Sequence, residues 1–98
     1  MPAAPLLTTT EIEAGLRELP GWELRDGRLV KEFRCADFVD ALRFVQRVAE
    51  PAEAQNHHPD VLIHWRDVTL SLWTHAAGGI TQRDLRLAHA IEDVAPAR

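Results

Sequence analysis

The run Trp22-Glu23-Leu24-Arg25-Asp26-Gly27-Arg28-Leu29-Val30-Lys31-Glu32-Phe33-Arg34 decides how the rest of the chain is read. Asp26-Gly27 between two β-rich runs is a strong two-residue hairpin signal, because a type I′ turn needs positive φ at both central positions. Trp22–Arg25 and Arg28–Arg34 are therefore expected as an antiparallel pair. A second pair lies downstream, Asp60–Trp65 and Val68–Thr74 around Arg66-Asp67. In its latter run Val68, Leu70 and Leu72 alternate with Thr69, Ser71 and Trp73, the period of a half-buried strand.

Between the two pairs, Phe38, Ala41, Leu42, Val45, Val48, Ala49 and Ala52 recur at intervals of three and four, which predicts an amphipathic helix. Pro51 falls inside it. Proline removes a backbone hydrogen bond and clashes with the preceding turn, so a kink or an early end is expected there. Upstream, Thr8 and Thr10 each begin a capping-box pattern with Glu11 and Glu13. Ile12, Leu16 and Leu19 follow at helical spacing, and Pro20-Gly21 is expected to stop that helix. After the loop Ala76-Ala77-Gly78-Gly79, Thr81 with Asp84 three residues on is a further capping pattern feeding a last helix. The order α-β-β-α-β-β-α predicts an α+β domain, a four-stranded antiparallel sheet with helices packed on one face. The uncovered face or an edge strand is then the natural surface for self-association.

Length and composition narrow the class. With 98 residues one domain is expected over 1–98, ordered over about 8–94, with frayed ends at Met1–Leu7 and Val94–Arg98. A hydrophobic fraction of 46% against 27% charged excludes a disordered or collagen-like chain. Lys+Arg 11 against Asp+Glu 15 gives 11 − 15 = −4. That balance argues against nucleic acid, whose binding needs clustered positive charge, and against an anionic membrane surface. No apolar run approaches the roughly 18 residues of a membrane span, and the opening lacks the basic and apolar regions of a signal peptide. Cys35 is alone and cannot form an intramolecular disulfide, which points to a reducing, cytoplasmic location. A domain this small buries only about 60–65% of its extended-chain surface, so self-association would help it.

The chemistry concentrates in histidine. Four of five (His57, His58, His64, His75) fall in one short stretch, and imidazole can give and take a proton near neutral pH. Glu53, His57, His58, Pro59 and Asp60 sit where the second helix hands over to the third strand. Pro59 disfavours helical backbone at His58, and adjacent side chains on extended backbone point apart, so His57 and His58 should have different tasks. His75 ends the alternating strand beside a Gly-Gly loop, where strand-end residues often line sites. A solvated loop is the competing reading of the pair alone. Asp84 shares the apolar stripe of Leu87, Ala88 and Ile91, where a carboxylate is costly unless bonded. It either caps the backbone near Thr81 or orients a histidine.

No histidine pair has i, i+4 spacing and Cys35 is distant in sequence, so no metal site is predicted. His64 and His89 read as surface residues. Gly78-Gly79 lacks a phosphate-loop pattern and reads as a tight turn. Trp22, Trp65 and Trp73 are core or interface aromatics by default, and one beside the histidines would flank a flat heterocycle.

Taken together, Glu53-Ala54-Gln55-Asn56-His57-His58-Pro59-Asp60, Trp65, Thr74-His75, Gly78-Gly79-Ile80-Thr81 and Asp84 resemble the signature of the pterin-4a-carbinolamine dehydratases. Gly21-Trp22 and Asp37-Phe38 also fit, so the resemblance runs from about Thr10 to Asp93. It implies a hydro-lyase that converts 4a-hydroxytetrahydropterin to quinonoid dihydropterin and water. That reaction recycles the tetrahydrobiopterin-type cofactor of aromatic amino-acid hydroxylases, and the resemblance implies neither metal nor organic cofactor. By similarity His57 and His75 form the acid/base pair, His58, Glu53 and Thr74 bind the pterin, and Asp60, Asp84 and Trp65 support the site. A homodimer or homotetramer is implied, with a functional link to an aromatic amino-acid hydroxylase. Two departures stand out. Pro51 precedes Glu53 closely enough to displace it, and Cys35 stands where the family often has an aromatic. The competing reading is a non-catalytic binding or assembly module of the same fold. Such proteins lack part of the histidine set, so the presence of His57, His58 and His75 favours an enzyme.

Overall fold

A computed structural model describes residues 4–96. The Asp26-Gly27 turn has φ values of 51° and 76°, and it joins β1 (Glu23–Arg25) to β2 (Arg28–Arg34) with Leu24 opposite Leu29. The second hairpin consists of β3 (Asp60–His64) and β4 (Asp67–Leu72). The hairpins join through β2 and β4, giving the order β1-β2-β4-β3 with every pairing antiparallel. Across the central pair Leu29 faces Leu72 and Phe33 faces Val68. Period-two alternation puts these side chains on one face, where they bury against Ala41, Phe44, Val48, Leu87 and Ile91 of the helices. Arg28, Glu32, Arg34, Thr69 and Ser71 lie on the opposite, uncovered face. No helix among the described residues is long and apolar enough to cross a membrane.

Of the two candidate caps for α1 (Thr9–Leu16), Thr8 is used: its amide donates to Glu11 Oε1 at 2.8 Å and its hydroxyl accepts from the Glu11 amide at 3.2 Å. The helix ends three residues short of Leu19. Tighter bonds, Glu18 N–H to the Gly15 carbonyl and Leu19 N–H to that of Leu16, turn the chain so that Leu19 is still fully buried. Trp22 precedes β1 and buries its ring, with Nε1 donating to Glu92 at 3.2 Å.

α2 (Phe38–Ala54) is capped by Asp37 and does not end at Pro51. The turn beyond Pro51 is held by the buried Ala52 and by the amides of Gln55 and His57, which donate to the carbonyls of Pro51 and Ala52 at 2.9 and 3.0 Å. These bonds offset the one that proline forfeits. α3 (Gln82–Asp93) follows Thr81 as expected. β3 stops at His64, because Trp65 adopts φ 55° and forms the turn.

The ends are more engaged than expected. Leu6 bridges to Thr81, the Leu7 amide donates to the Ile80 carbonyl at 2.9 Å, and Val94 and Ala95 pack on the core. Of the expected frayed ends, Met1–Ala3 and Ala97–Arg98 lie outside the described residues. Lys31 occupies an inward position of β2 between Leu29 and Phe33. Its ammonium is buried and donates to the Pro20 carbonyl and to both Glu92 oxygens at 2.9–3.0 Å.

Candidate active site

Asp84 is fully buried, and its carboxylate is the hub that joins α3, the end of β4 and the loop after α2. Oδ2 accepts from the Thr81 amide at 2.9 Å and from the Thr74 hydroxyl at 2.8 Å. Oδ1 accepts from His57 Nε2 at 2.6 Å. Thr74 spends its only proton on Asp84, so the Thr81 hydroxyl donates to Thr74 Oγ1 at 2.8 Å while accepting from the Arg83 amide at 3.2 Å. Both readings of Asp84 therefore hold at once. One oxygen caps the helix, and the other fixes the tautomer and tilt of an imidazole.

His57 is buried to 7% exposure, with Nε2 committed to Asp84 and Nδ1 left without a protein partner among the described residues. His58 is exposed and turns the other way, its Nε2 meeting the Glu53 carboxylate. The helical turn that survives Pro51 is what carries Glu53 to that partner, so Pro51 has not displaced it. His75 is exposed after β4. No hydrogen bond holds its ring among the described residues; the ring lies against the indole of Trp73, with centroids 4.1 Å apart and planes at 42°.

Asn56, His57, His58, Trp73, Thr74, His75, Ala76 and Arg83 surround an open cavity of about 360 Å³ at the end of the sheet. A larger hollow of about 500 Å³ lies beside Lys31 and Glu92. Lys31 has spent all three N–H donors there, so that hollow offers little chemistry.

The structure brings His57, His58, His75, Thr74, Glu53 and Asp84 to the cavity or into direct contact with its lining. Thr74 contributes through Asp84, since its hydroxyl is wholly engaged inside the protein. Asp60 is exposed on β3 and pairs with Arg28 at 3.0 Å, outside the lining. Trp65 is not brought to the cavity of its own chain. It is 60% exposed at the β3–β4 turn, with the Arg66 guanidinium 4.4 Å from its ring centroid. The tryptophan that flanks the cavity is Trp73. Sequence reasoning missed Arg83, whose guanidinium donates to the carbonyls of Gln55 at 3.3 Å and Asn56 at 2.7 Å and so clamps the histidine loop to α3. Its signal was its place in the first turn of α3, beside Asp84. Among the described residues no three His, Cys, Asp or Glu side chains converge as metal ligands.

Comparison with known proteins agrees with this layout. A protein of Mycobacterium sp. (strain KMS), provisionally named a pterin-4-alpha-carbinolamine dehydratase, is 47% identical over 89 residues, covering 91% of this chain and 95% of its own. One of the same provisional name from Thermosynechococcus vestitus is 46% identical over 92 residues, covering 94% and 97%. The crystal structure of a transcriptional coactivator/pterin dehydratase from Brucella melitensis superposes with a TM-score of 0.87 at 32% identity, covering 91% of this chain and 97% of the other. The family model described as pterin 4 alpha carbinolamine dehydratase matches residues 5–94, the span that contains the buried Asp84, its histidine and the rest of the cavity, and the chain belongs to that family.

Proposed function

We infer that this chain is a hydro-lyase that converts 4a-hydroxytetrahydropterin to quinonoid dihydropterin and water. The observation that carries the reading is the His57–Asp84 pair opening on the same cavity as His58 and His75. In the reaction the N5–H bond breaks, its electron pair forms the C4a=N5 double bond, and the C4a–O bond breaks as the hydroxyl takes up a proton and leaves as water. One proton must be removed and one supplied. His57, with Asp84 behind it to stabilise an imidazolium, suits removal at N5. His75, exposed on the other wall, suits delivery to the departing hydroxyl. His58 with Glu53 is suited to hold the ring, and Trp73 offers an indole wall for a flat heterocycle.

A self-associating protein suits this reading. β3 is an edge strand with free backbone groups, and Val61 and Leu62 on it are 43% and 63% exposed. The reaction suits a cytoplasmic chain that works with an aromatic amino-acid hydroxylase. The competing reading is a non-catalytic module of the same fold. It draws support from the Brucella protein, which is called a transcriptional coactivator as well as a pterin dehydratase.

The deciding assay follows carbinolamine decay by ultraviolet absorbance after rapid generation by a hydroxylase. Wild-type protein at micromolar concentration is expected to accelerate it, and turnover is expected to survive exhaustive chelation. No acceleration transfers the assignment to the binding module. Loss in chelator restored by zinc overturns the metal-free mechanism.

A further inference from the structure

Of the three histidines at the cavity, two are held by carboxylates and the third is not. Asp84 fixes the His57 ring and Glu53 meets that of His58, whereas the His75 ring rests on Trp73. An exposed imidazole without a polar anchor samples several rotamers, and a proton donor must stay within hydrogen-bond reach of its target. Whatever fixes Trp73 therefore fixes His75.

Trp73 and His75 flank the buried Thr74 just past β4, and their ring contact puts them on the same side, the one that carries the outward row Thr69 and Ser71 of β4. The indole Nε1 is buried and has no hydrogen-bond partner among the described residues, so no hydrogen bond orients the ring. The Arg28 guanidinium lies over that ring, 5.1 Å from its centroid. Arg28 is in turn held by Asp60 at 3.0 Å. β2, which bears Arg28, and β3, which bears Asp60, are not neighbours: β4 runs between them, with Leu29 opposite Leu72 and Asp60 opposite Ser71. The ion pair thus straps across β4 just before Trp73.

We propose that Asp60, Arg28 and Trp73 form a positioning chain that sets the orientation of the His75 imidazole for proton delivery. None of the three takes or gives the proton. The chain deepens the dehydratase reading and rests on it for its kinetic consequence, while its structural consequence is measurable without substrate. Asp60 also follows His58 by two residues, through the rigid Pro59, so one side chain ties both walls of the cavity together.

The test pairs NMR of the His75 ring protons with steady-state kinetics, on the full chain. An indole face at 4.1 Å shifts those protons upfield by its ring current. Trp73→Ala is expected to abolish that shift and lower kcat by about ten- to a hundredfold, the cost of a misplaced catalytic group, and to raise KM as well because the indole wall is lost. Trp73→Phe is expected to keep part of the shift and most of the rate. Arg28→Gln and Asp60→Asn should each move the His75 resonances toward those of Trp73→Ala and lower kcat by about two- to fivefold, the equivalent of one exposed cation–π contact. Arg28→Lys should restore part of both. His75 resonances in Arg28→Gln and Asp60→Asn that superpose on wild type overturn the proposal, as does a rise in KM with unchanged kcat in Trp73→Ala. If Trp73→Ala fails to fold, the Arg28 and Asp60 variants decide alone. If wild-type protein does not accelerate dehydration, the dehydratase reading fails and the resonance shifts still decide whether the chain positions His75.

Discussion

His57 Nε2 lies 2.6 Å from one oxygen of Asp84 while the other oxygen of that carboxylate holds the Thr81 amide at the head of α3. One side chain thus links the stability of a helix to the aim of an imidazole. Asp84→Asn keeps the volume but can no longer accept from every donor around it. It is expected to cost about 1–3 kcal/mol, the range for leaving a buried donor unpaired, and to slow dehydration. Asp84→Leu should also impair folding. Both are read from thermal melts and initial rates, and an Asp84→Leu protein with wild-type melting temperature and rate would falsify the coupling.

Substitution of the histidines should separate their tasks. A positioned acid or base contributes about 10²–10⁴-fold, and the carbinolamine already dehydrates unaided. His57→Ala and His75→Ala should each reduce kcat with residual turnover, and the double variant should approach the background rate. His58→Ala should chiefly raise KM, because lost ground-state binding is felt there. Equal loss of kcat in all three would erase the distinction.

The buried ammonium of Lys31 makes a separate stability prediction. Glu92→Ala leaves that charge with the Pro20 carbonyl as its one hydrogen-bond acceptor among the described residues, and should cost about 3 kcal/mol, toward the low end for a broken buried pair, because Glu92 keeps 28% exposure. Lys31→Met removes the charge and should cost less. Gly21 lies against the same side chain: it has φ 88°, and an added Cβ would sit 2.9 Å from Lys31 Cε. Gly27 has φ 76° with open space around it. Gly27→Ala should therefore cost about 1 kcal/mol of backbone strain, and Gly21→Ala clearly more. Urea denaturation midpoints in the reverse order would refute the assignment of Lys31 to a tightly held site.

Cys35 carries a pH dependence of known sign. Burial raises its thiol pKa, with smaller contributions from Asp40 and other nearby carboxylates. The unfolded chain therefore ionises first as pH rises. The stability contribution is whole below the ordinary thiol range and is lost progressively above it, by at most about 1.4 kcal/mol per pH unit. Stability measured from pH 7 to 10 should fall more steeply for wild type than for Cys35→Ala. Parallel profiles would show that Cys35 is not protected.

Most elements were legible because their signals are local. Asp26-Gly27 demanded a turn that only a hairpin supplies, and Thr81 with Asp84 marked a helix start whatever lay around it. Asp84 also betrayed the site, since a carboxylate on an apolar stripe needs a partner. The failures involve tertiary contacts. Nothing near Lys31 in sequence says that Glu92 will meet it 61 positions later. An end at Pro51 would require the lost bond to go uncompensated, but the buried Ala52 and the turn after it retain the helix. The spacing of the motif groups Trp65 with the site. Its positive φ instead turns it away at the far end of β3, and the strand order puts Trp73 beside the histidines.

The clip of Leu6 and Leu7 onto Ile80 and Thr81 has a practical side. Thr81 is the residue whose amide and hydroxyl hold the Asp84 network, and Leu6 also covers Gly79, where even a methyl group would come within 3.0 Å of it. Cleavage or fusion just ahead of Thr8 thus pulls on the backbone that anchors His57, even though it leaves every cavity residue in place. Amide hydrogen exchange at Leu7 becomes a remote gauge of the site, slowing when a bound ring stiffens the cavity and quickening when the carboxylate network loosens.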